Sequence, residues 1–389
     1  MIRTGACFFA LLAVAAPFAI VPEIGCGRPV EPGDPVPGLD RAQQEQFKRG
    51  RAVFVRAFTP ETGLGPLFNA NACGECHEDP VTGGRGDEVE IHVALVRPDQ
   101  TCDPLAELGG PVLQQQVTPA LKSALGIDSE PAPAGVPLAH RTTPDIFGFG
   151  LLDAVPEKEI LAYADPDDRD KDGISGRPNH DPDGHVGRFG RKAQVASLRK
   201  FNGDAFLIEV GITSPADPQE STIGGKPIPD GVDLAADPEI DAAALEDMDA
   251  FVRFLAPPQA LRLDRSGREG RKVFARIGCA ACHVPVLETG DNPIRALAYK
   301  KVAAYTDLLL HDMGPDLADI CLGLATPSEF RTGPLMGLRL MPQFLHDGRA
   351  KTIEEAIRLH AGEASRARDR FQALDDQDRA AILAFLKSL

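Results

Sequence analysis

The sequence predicts a mainly α-helical protein built as a tandem of two similar units, the first enlarged by long loop insertions. Three internal echoes predict it. Gly50-Arg51-Ala52-Val53-Phe54-Val55-Arg56 matches Gly270-Arg271-Lys272-Val273-Phe274-Ala275-Arg276 at five of seven positions. Arg141-Thr142-Thr143-Pro144 is answered by Arg331-Thr332-Gly333-Pro334, and Val252-Arg253-Phe254-Leu255 by Leu383-Ala384-Phe385-Leu386. Chance explains one echo more readily than three in the same order.

Each element follows from local pattern. The first echo ends amphipathic stretches at 40–58 and 264–277. The third lies in helices with apolar residues three and four apart. These are Leu245, Met248, Phe251, Val252 and Leu255, then Ile382, Leu383, Phe385, Leu386 and Leu389. Pro257-Pro258 stops the first of these helices, and Asp375 or Asp376 caps the second. The boundary therefore falls near Pro258, giving units over 40–258 and 259–389. Insertions at 57–72 and 155–240 lengthen the first unit. Within them 213–240, rich in Pro, Gly and Asp, reads as an irregular surface excursion. Val89 to Val96 alternates and reads as a short hairpin arm.

Between the first and second echoes of each unit stands a C-x-x-C-H motif: Cys73-Gly74-Glu75-Cys76-His77 and Cys279-Ala280-Ala281-Cys282-His283. Two thiols one helical turn apart can reach both vinyl groups of one porphyrin, and the next residue aims an imidazole at the iron. A structural zinc site would want four closed ligands, which this spacing suits poorly. The motifs predict two covalently bound haem c groups, with His77 and His283 as proximal ligands. The order helix, C-x-x-C-H, Arg-Thr-x-Pro, terminal helix makes each unit class I cytochrome c-like.

The N-terminus suits that chemistry. Residues 8–21 form an apolar run after Arg3, too short and too broken by Pro17 for a comfortable membrane span, so 1–26 reads as a secretory signal. Export implies a periplasmic protein. Cys26 could be lipidated after cleavage, although Glu23 stands where a lipoprotein signal prefers leucine. Residues 27–39, with four Pro and three Gly over 27–38, read as a flexible linker. The net charge of −16 argues against nucleic acid and anionic membrane surfaces. It suits a cationic partner such as a small electron-donor cytochrome, and equally plain solubility. Cys102 and Cys321 are left over; they could pair in an oxidising compartment, but connectivity is not readable from sequence.

Asp168-Arg169-Asp170-Lys171-Asp172-Gly173 places carboxylates at alternate positions before a glycine. Such oxygens can converge on calcium if glycine permits the tight turn. Asn179 stands where an EF-hand would carry its twelfth-position acid, and an acidic solvated turn is the other reading.

Phe344-Leu345-His346-Asp347-Gly348-Arg349-Ala350, followed by Thr352-Ile353-Glu354-Glu355-Ala356-Ile357, resembles the C-terminal segment of bacterial di-haem cytochrome c peroxidases. Together with 141–156, 168–176, 187–213, Leu308-Leu309-Leu310-His311-Asp312-Met313-Gly314 and 330–362, it resembles the branch called di-haem oxidoreductases. The resemblance covers nearly the whole mature chain. It implies an electron-transfer haem in the second unit, whose distal ligand falls at His360, so that His283 and His360 ligate haem 2; Met336 and Met341 are the alternatives. It implies a reactive haem 1 on His77, with His92 and His140 the distal histidine candidates, and an acid–base carboxylate at Glu209. It further implies hydrogen peroxide or another oxidant as substrate, and a monohaem cytochrome or cupredoxin as electron donor. Two positions depart from the family pattern. Arg199, Lys200 and Phe201 occupy the neighbourhood of the assisting glutamine, and Phe189 replaces the tryptophan between the haems. A di-haem electron carrier and a redox sensor are the competing readings.

Overall fold

A computed structural model of the chain describes residues 29–389. The expected signal at 1–26 and Cys26 lie outside the described residues. Among the described residues there are eleven α-helices, and no strand exceeds five residues, so helix is the chief regular structure, set among extensive turns and loops.

The first echo forms the helices Arg41–Phe54 and Arg265–Arg276, and the third ends Ala242–Phe254 and Asp376–Leu386. Asp40 opens the first with a capping box: its carboxylate accepts from the Gln43 amide, and the Gln43 side chain accepts from its own. Asp375, one of the two expected caps, accepts from Asp378 at 2.8 Å. Each echo helix packs against the terminal helix of its own unit. Glycine makes the approach possible. A Cβ on Gly50 would stand 1.8 Å from the carbonyl oxygen of Asp247, and one on Gly270 would stand 1.9 Å from that of Ala381. Aligned on the third echo, the second crossing sits three residues, about one turn, further along its partner helix. Phe54 then meets Phe251 with ring centroids 4.9 Å apart, and Phe274 meets Phe385 at 5.4 Å.

The hydrophobic interior does not divide at Pro258. The larger core joins Phe47, Phe54, Phe149, Phe189 and Phe251 to Val284, Leu287, Leu297, Leu308, Leu309 and Met336 from the second unit. A smaller core belongs to the second unit, around Phe274, Tyr305, Phe371, Ile382 and Phe385. The expected hairpin arm is part of a larger β structure. Val89–Val93 is the middle strand of an antiparallel sheet, between Val112–Leu113 and Leu138–Thr142. Leu95–Val96 pairs with Cys102–Asp103. Cys102 and Cys321 form a disulfide across 219 residues, tying this arm to the second unit.

Two expectations need correction. The flexible linker over 27–39 fails from residue 29 onward. The Val36 amide donates to the Phe254 carbonyl at 2.7 Å, the Ala256 amide donates to Asp34, and Val36 and Leu39 are buried. These apolar side chains fix the segment in the core. The excursion at 213–240 contains no helix or named strand, as read, but it is not wholly superficial. Val232 is buried against Leu67 and Leu121. No helix among the described residues is long and apolar enough to cross a membrane.

Candidate functional site

A cavity of about 280 Å³ opens beside the first C-x-x-C-H segment. Cys73, Cys76 and His77 line it together with Glu209, Asn69 and Gln115, and Phe54, Ile146, Phe201 and Val252 are among its apolar walls. His77 follows the short helix Cys73–Cys76, and its Nδ1 donates to the Gly84 carbonyl at 3.0 Å. Burial keeps the imidazole neutral by pushing its pKa down. The backbone contact therefore selects the tautomer whose lone pair is on Nε2, as a metal-ligating histidine requires. Phe54, from the glycine-crossed helix, stands against this ring with centroids 6.0 Å apart.

The second motif repeats the arrangement. His283 Nδ1 meets the Tyr305 carbonyl at 2.9 Å, and Phe274 lies against the ring at 6.4 Å. His360, just past the helix Ile353–Leu359, meets the Ala356 carbonyl through its own Nδ1 at 2.7 Å. Burial lowers the pKa of His283 to about 4, and His360 acts on it as a nearby like charge. His360 is thus near enough to His283 to act on its charge, and both Nε2 atoms are free of backbone partners. Of the methionine alternatives, Met336 sits in the larger core against Gly148, while Met341 borders the smaller core with Cys279 and Ile357.

The donor chemistry fits haem at both motifs. All four motif cysteines are free thiols. Burial pushes Cys73 and Cys279 up to about 12 and raises Cys76 and Cys282 as well. Each motif supplies two thiols and one imidazole, one ligand short of the closed set of four that a structural zinc site wants. They suit thioether formation with a porphyrin whose iron takes the free imidazole nitrogen. Cys282 does lie 3.6 Å from His311, itself held between Asp307 at 2.8 Å and Glu363 at 2.7 Å.

Glu209 occupies the turn Phe206–Val210, where the helix Leu198–Ala205 widens to π geometry. Such bulges recur at functional sites, because they turn a side chain out of helical register. Gly211 closes the turn at φ 68°, and a Cβ there would stand 2.2 Å from the Leu67 carbonyl. That close approach seats 65–70 on the turn: the Asn69 amide donates to the Glu209 carbonyl at 2.7 Å, and Asn69 Nδ2 donates to the carboxylate at 2.8 Å. Asn69 Oδ1 in turn accepts from the Gln115 amide at 2.9 Å. Burial, with the charge of Glu90 second, raises Glu209 to about 8, while the Asn69 hydrogen bond opposes the rise. Glu90 also lines the cavity. Burial works against its charge, but the hydrogen bond from His92 at 2.8 Å and the charge of Arg191 hold its pKa below the usual value. Two carboxylates facing one cavity resist ionising together, so Glu90 carries the charge and Glu209 the proton.

The distal histidine candidates do not enter the cavity. His92 is buried behind Glu90, and His140 is exposed on the edge strand of the sheet. Phe201 does line it; Phe189 is fully buried behind, 5.7 Å from Phe201 and 5.4 Å from Phe149. Asn69, Glu90 and Gln115 were not legible as site residues. Only Glu90 left a trace, as an acid in an alternating strand, while Asn69 and Gln115 are placed by long-range packing alone. Asp168, Asp170 and Asp172 do come together, with carboxylate oxygens within 4.8 Å of one another. Positive φ at Asp168, Lys171 and Gly173 makes the turn, and Arg366 donates to the Asp172 carbonyl.

The family described as "Di-haem oxidoreductase, putative peroxidase" matches residues 121–389. No curated protein sequence matches the chain. Three solved structures are similar over most of their length. Hydrazine synthase from Kuenenia stuttgartiensis is 14% identical, with 96% of this chain and 99% of that chain covered and a TM-score of 0.39. A MauG-like protein associated with microbial copper homeostasis is 17% identical, with 95% of each covered and a TM-score of 0.41. The diheme peroxidase BthA from Burkholderia thailandensis is 15% identical, with 93% and 89% covered and a TM-score of 0.43.

The Glu209 environment gives a signature independent of activity. The unfolded carboxyl ionises near its ordinary 4.5, the folded one only near 8, so ionisation favours unfolding across that window. Wild-type stability should fall relative to Glu209→Gln as pH rises from 4.5 to 8. A difference in Tm that stays flat over that range rules out a buried, protonated Glu209.

Proposed function

The chain belongs to the di-haem oxidoreductase family, and on that premise we propose that it is an exported, peroxidase-type enzyme with Glu209 as the acid–base group of its reactive site. Cys73 and Cys76 attach the first haem with His77 as proximal ligand, and Cys279 and Cys282 attach the second between His283 and His360. When bound, the two haems supply redox-active iron for one-electron steps. The pairing of units is read as a tandem of class I cytochrome c-like domains, supported by the repeated glycine crossing and the repeated Phe–His contact.

One observation carries the peroxidase reading: a protonatable carboxyl, raised by burial, lines the same cavity as the proximal motif. Reduction of hydrogen peroxide to two waters takes two electrons and two protons. The fraction of Glu209 that is ionised at neutral pH takes the proton of the incoming peroxide oxygen and returns it to the oxygen that leaves, and the two protons consumed come from solvent. Asn69 Nδ2 holds the carboxyl in place, and Gln115 orders Asn69 through its backbone amide. A small electron-donor protein, a monohaem cytochrome or cupredoxin, is the proposed partner. The remaining proposal is calcium at Asp168, Asp170 and Asp172, supported by their convergence and by the tight turn.

Three measurements test these assignments. Mature protein should carry two covalent haems by mass and react with peroxide, and Glu209→Gln should slow that reaction by a factor of about 10² to 10⁴. If the variant reacts at the wild-type rate, Glu209 is not the acid–base; if the wild type does not react oxidised or half-reduced, a di-haem electron carrier is the better description. His360→Ala should open haem 2 to added ligands, whereas an unchanged spectrum points to Met341 or another residue. Calcium should raise the Tm of the wild type by mass action; the same shift in a triple Asp168→Asn, Asp170→Asn, Asp172→Asn variant excludes this loop.

A further inference from the structure

A cluster of buried and half-buried cations lies where the two Arg-Thr-x-Pro segments meet. Arg141 and Lys192 share Asp319, with contacts at 2.7 and 2.9 Å. Arg85 lies 3.6 Å from Asp145 and donates to the Gln343 carbonyl at 2.8 Å. Arg191 and Arg331 are different. Arg191 donates to the Thr142 carbonyl at 2.9 Å, and Arg331 to the Arg188 carbonyl at 2.8 Å. Among the described residues neither has a carboxylate partner, and Arg331 Nε is buried without any hydrogen bond. Their backbones are joined, since the Arg331 amide donates to the Arg191 carbonyl at 2.9 Å. The nearby carboxylates are engaged elsewhere: Glu90 with His92, Glu329 with Arg177, and Asp319 with two cations already.

Both guanidinium groups are half-buried, and each is reached by a carboxylate only at a distance, Arg191 by Glu90 and Arg331 by Asp145, so each keeps donors with which to meet an anion. Burial, reinforced for Arg191 by Arg85, Arg331 and Arg141, depresses both to about 10. The neighbourhood is that of the first motif. Asp145 feels Arg85, Arg191 and His77 together. Thr142, which Arg191 grips, precedes Thr143 in the cavity wall, and Gly84, which holds His77, precedes Arg85.

A haem carries two propionate carboxylates, and this chain leaves two guanidinium groups unpaired beside the first motif. We propose that Arg191 and Arg331 are the seat of the propionates of the haem held by His77. Arg191 comes from the first unit and Arg331 from the second, so the cofactor of one unit is gripped by both. Guanidinium is the fitting donor, because its planar fork meets a carboxylate through two hydrogen bonds. The inference rests on the reading that His77 carries a haem.

Redox titration of the mature two-haem protein at several pH values tests it, with Arg191→Gln, Arg331→Gln and Arg191→Lys and with haem content read by mass. In the wild type and Arg191→Lys the seat keeps the propionates ionised, and the potential of haem 1 should not vary with pH near neutrality. In either Gln variant a propionate regains its proton near neutrality. The potential of haem 1 should then fall as pH rises through that titration, because the ionised propionate, no longer balanced, favours the ferric state. Haem 2 should be unaffected. A pH-independent, wild-type potential in both Gln variants, or a change confined to haem 2, overturns the proposal. If the Gln variants do not mature, Arg191→Lys decides: maturation with a wild-type profile supports the seat, and failure overturns it. Wild-type protein without haem on His77 would sink the cofactor reading itself; two normal haems with unmoved potentials sink only the seat.

Discussion

Backbone meets backbone at Gly50 and Asp247, and again at Gly270 and Ala381, and the rest of the structure hangs from these two contacts. Only a residue without Cβ lets the helices come so close. Close approach brings Phe54 onto Phe251 and Phe274 onto Phe385, and the same two phenylalanines, Phe54 and Phe274, lie against His77 and His283. One glycine per unit thus determines where an imidazole stands. The backbone carbonyls of Gly84 and Tyr305 then fix which ring nitrogen is free. Packing gives position and hydrogen bonding gives chemistry, in that order.

The units diverge in what they place opposite the imidazole. In the second, the helix Ile353–Leu359 ends beside His283 and presents His360. In the first, the insertion supplies a helix that widens at Phe206–Val210 and presents Glu209. An imidazole stands near one proximal histidine, and a carboxyl that holds its proton lines the cavity of the other. The carboxyl keeps that proton because it is buried and because Glu90, tied to His92, already holds a negative charge in the same cavity.

How much of this was legible depends on how local each signal is. The motif residues Cys73 to His77 and Cys279 to His283, the four main helices and the Asp375 cap are written in short windows, where spacing and periodicity suffice. Glu209 and His360 could be named only by resemblance, since nothing in their flanking residues distinguishes them from surface groups. Asn69 and Gln115 reach the cavity through contacts between distant segments that no window contains. The linker over 27–39 misled because Pro and Gly counts describe backbone bias, whereas the burial of Val36 and Leu39 decides order. Cys102 and Cys321 pair because the β arm folds back onto the second unit, a placement that separation in sequence conceals.

The interior shared across Pro258 has a consequence for the order in which the chain can become a protein. Residues up to 258 make most of the larger core, but Val284, Leu297, Leu308, Leu309 and Met336 complete it. Cys102 must also wait for Cys321. An emerging N-terminal half would therefore expose an apolar face and an unmatched thiol until more than three hundred residues had been delivered. The second half, with a small core of its own around Phe274 and Phe385, can begin to fold while the first is still incomplete. The last part of the chain to be made would thus be the first able to settle.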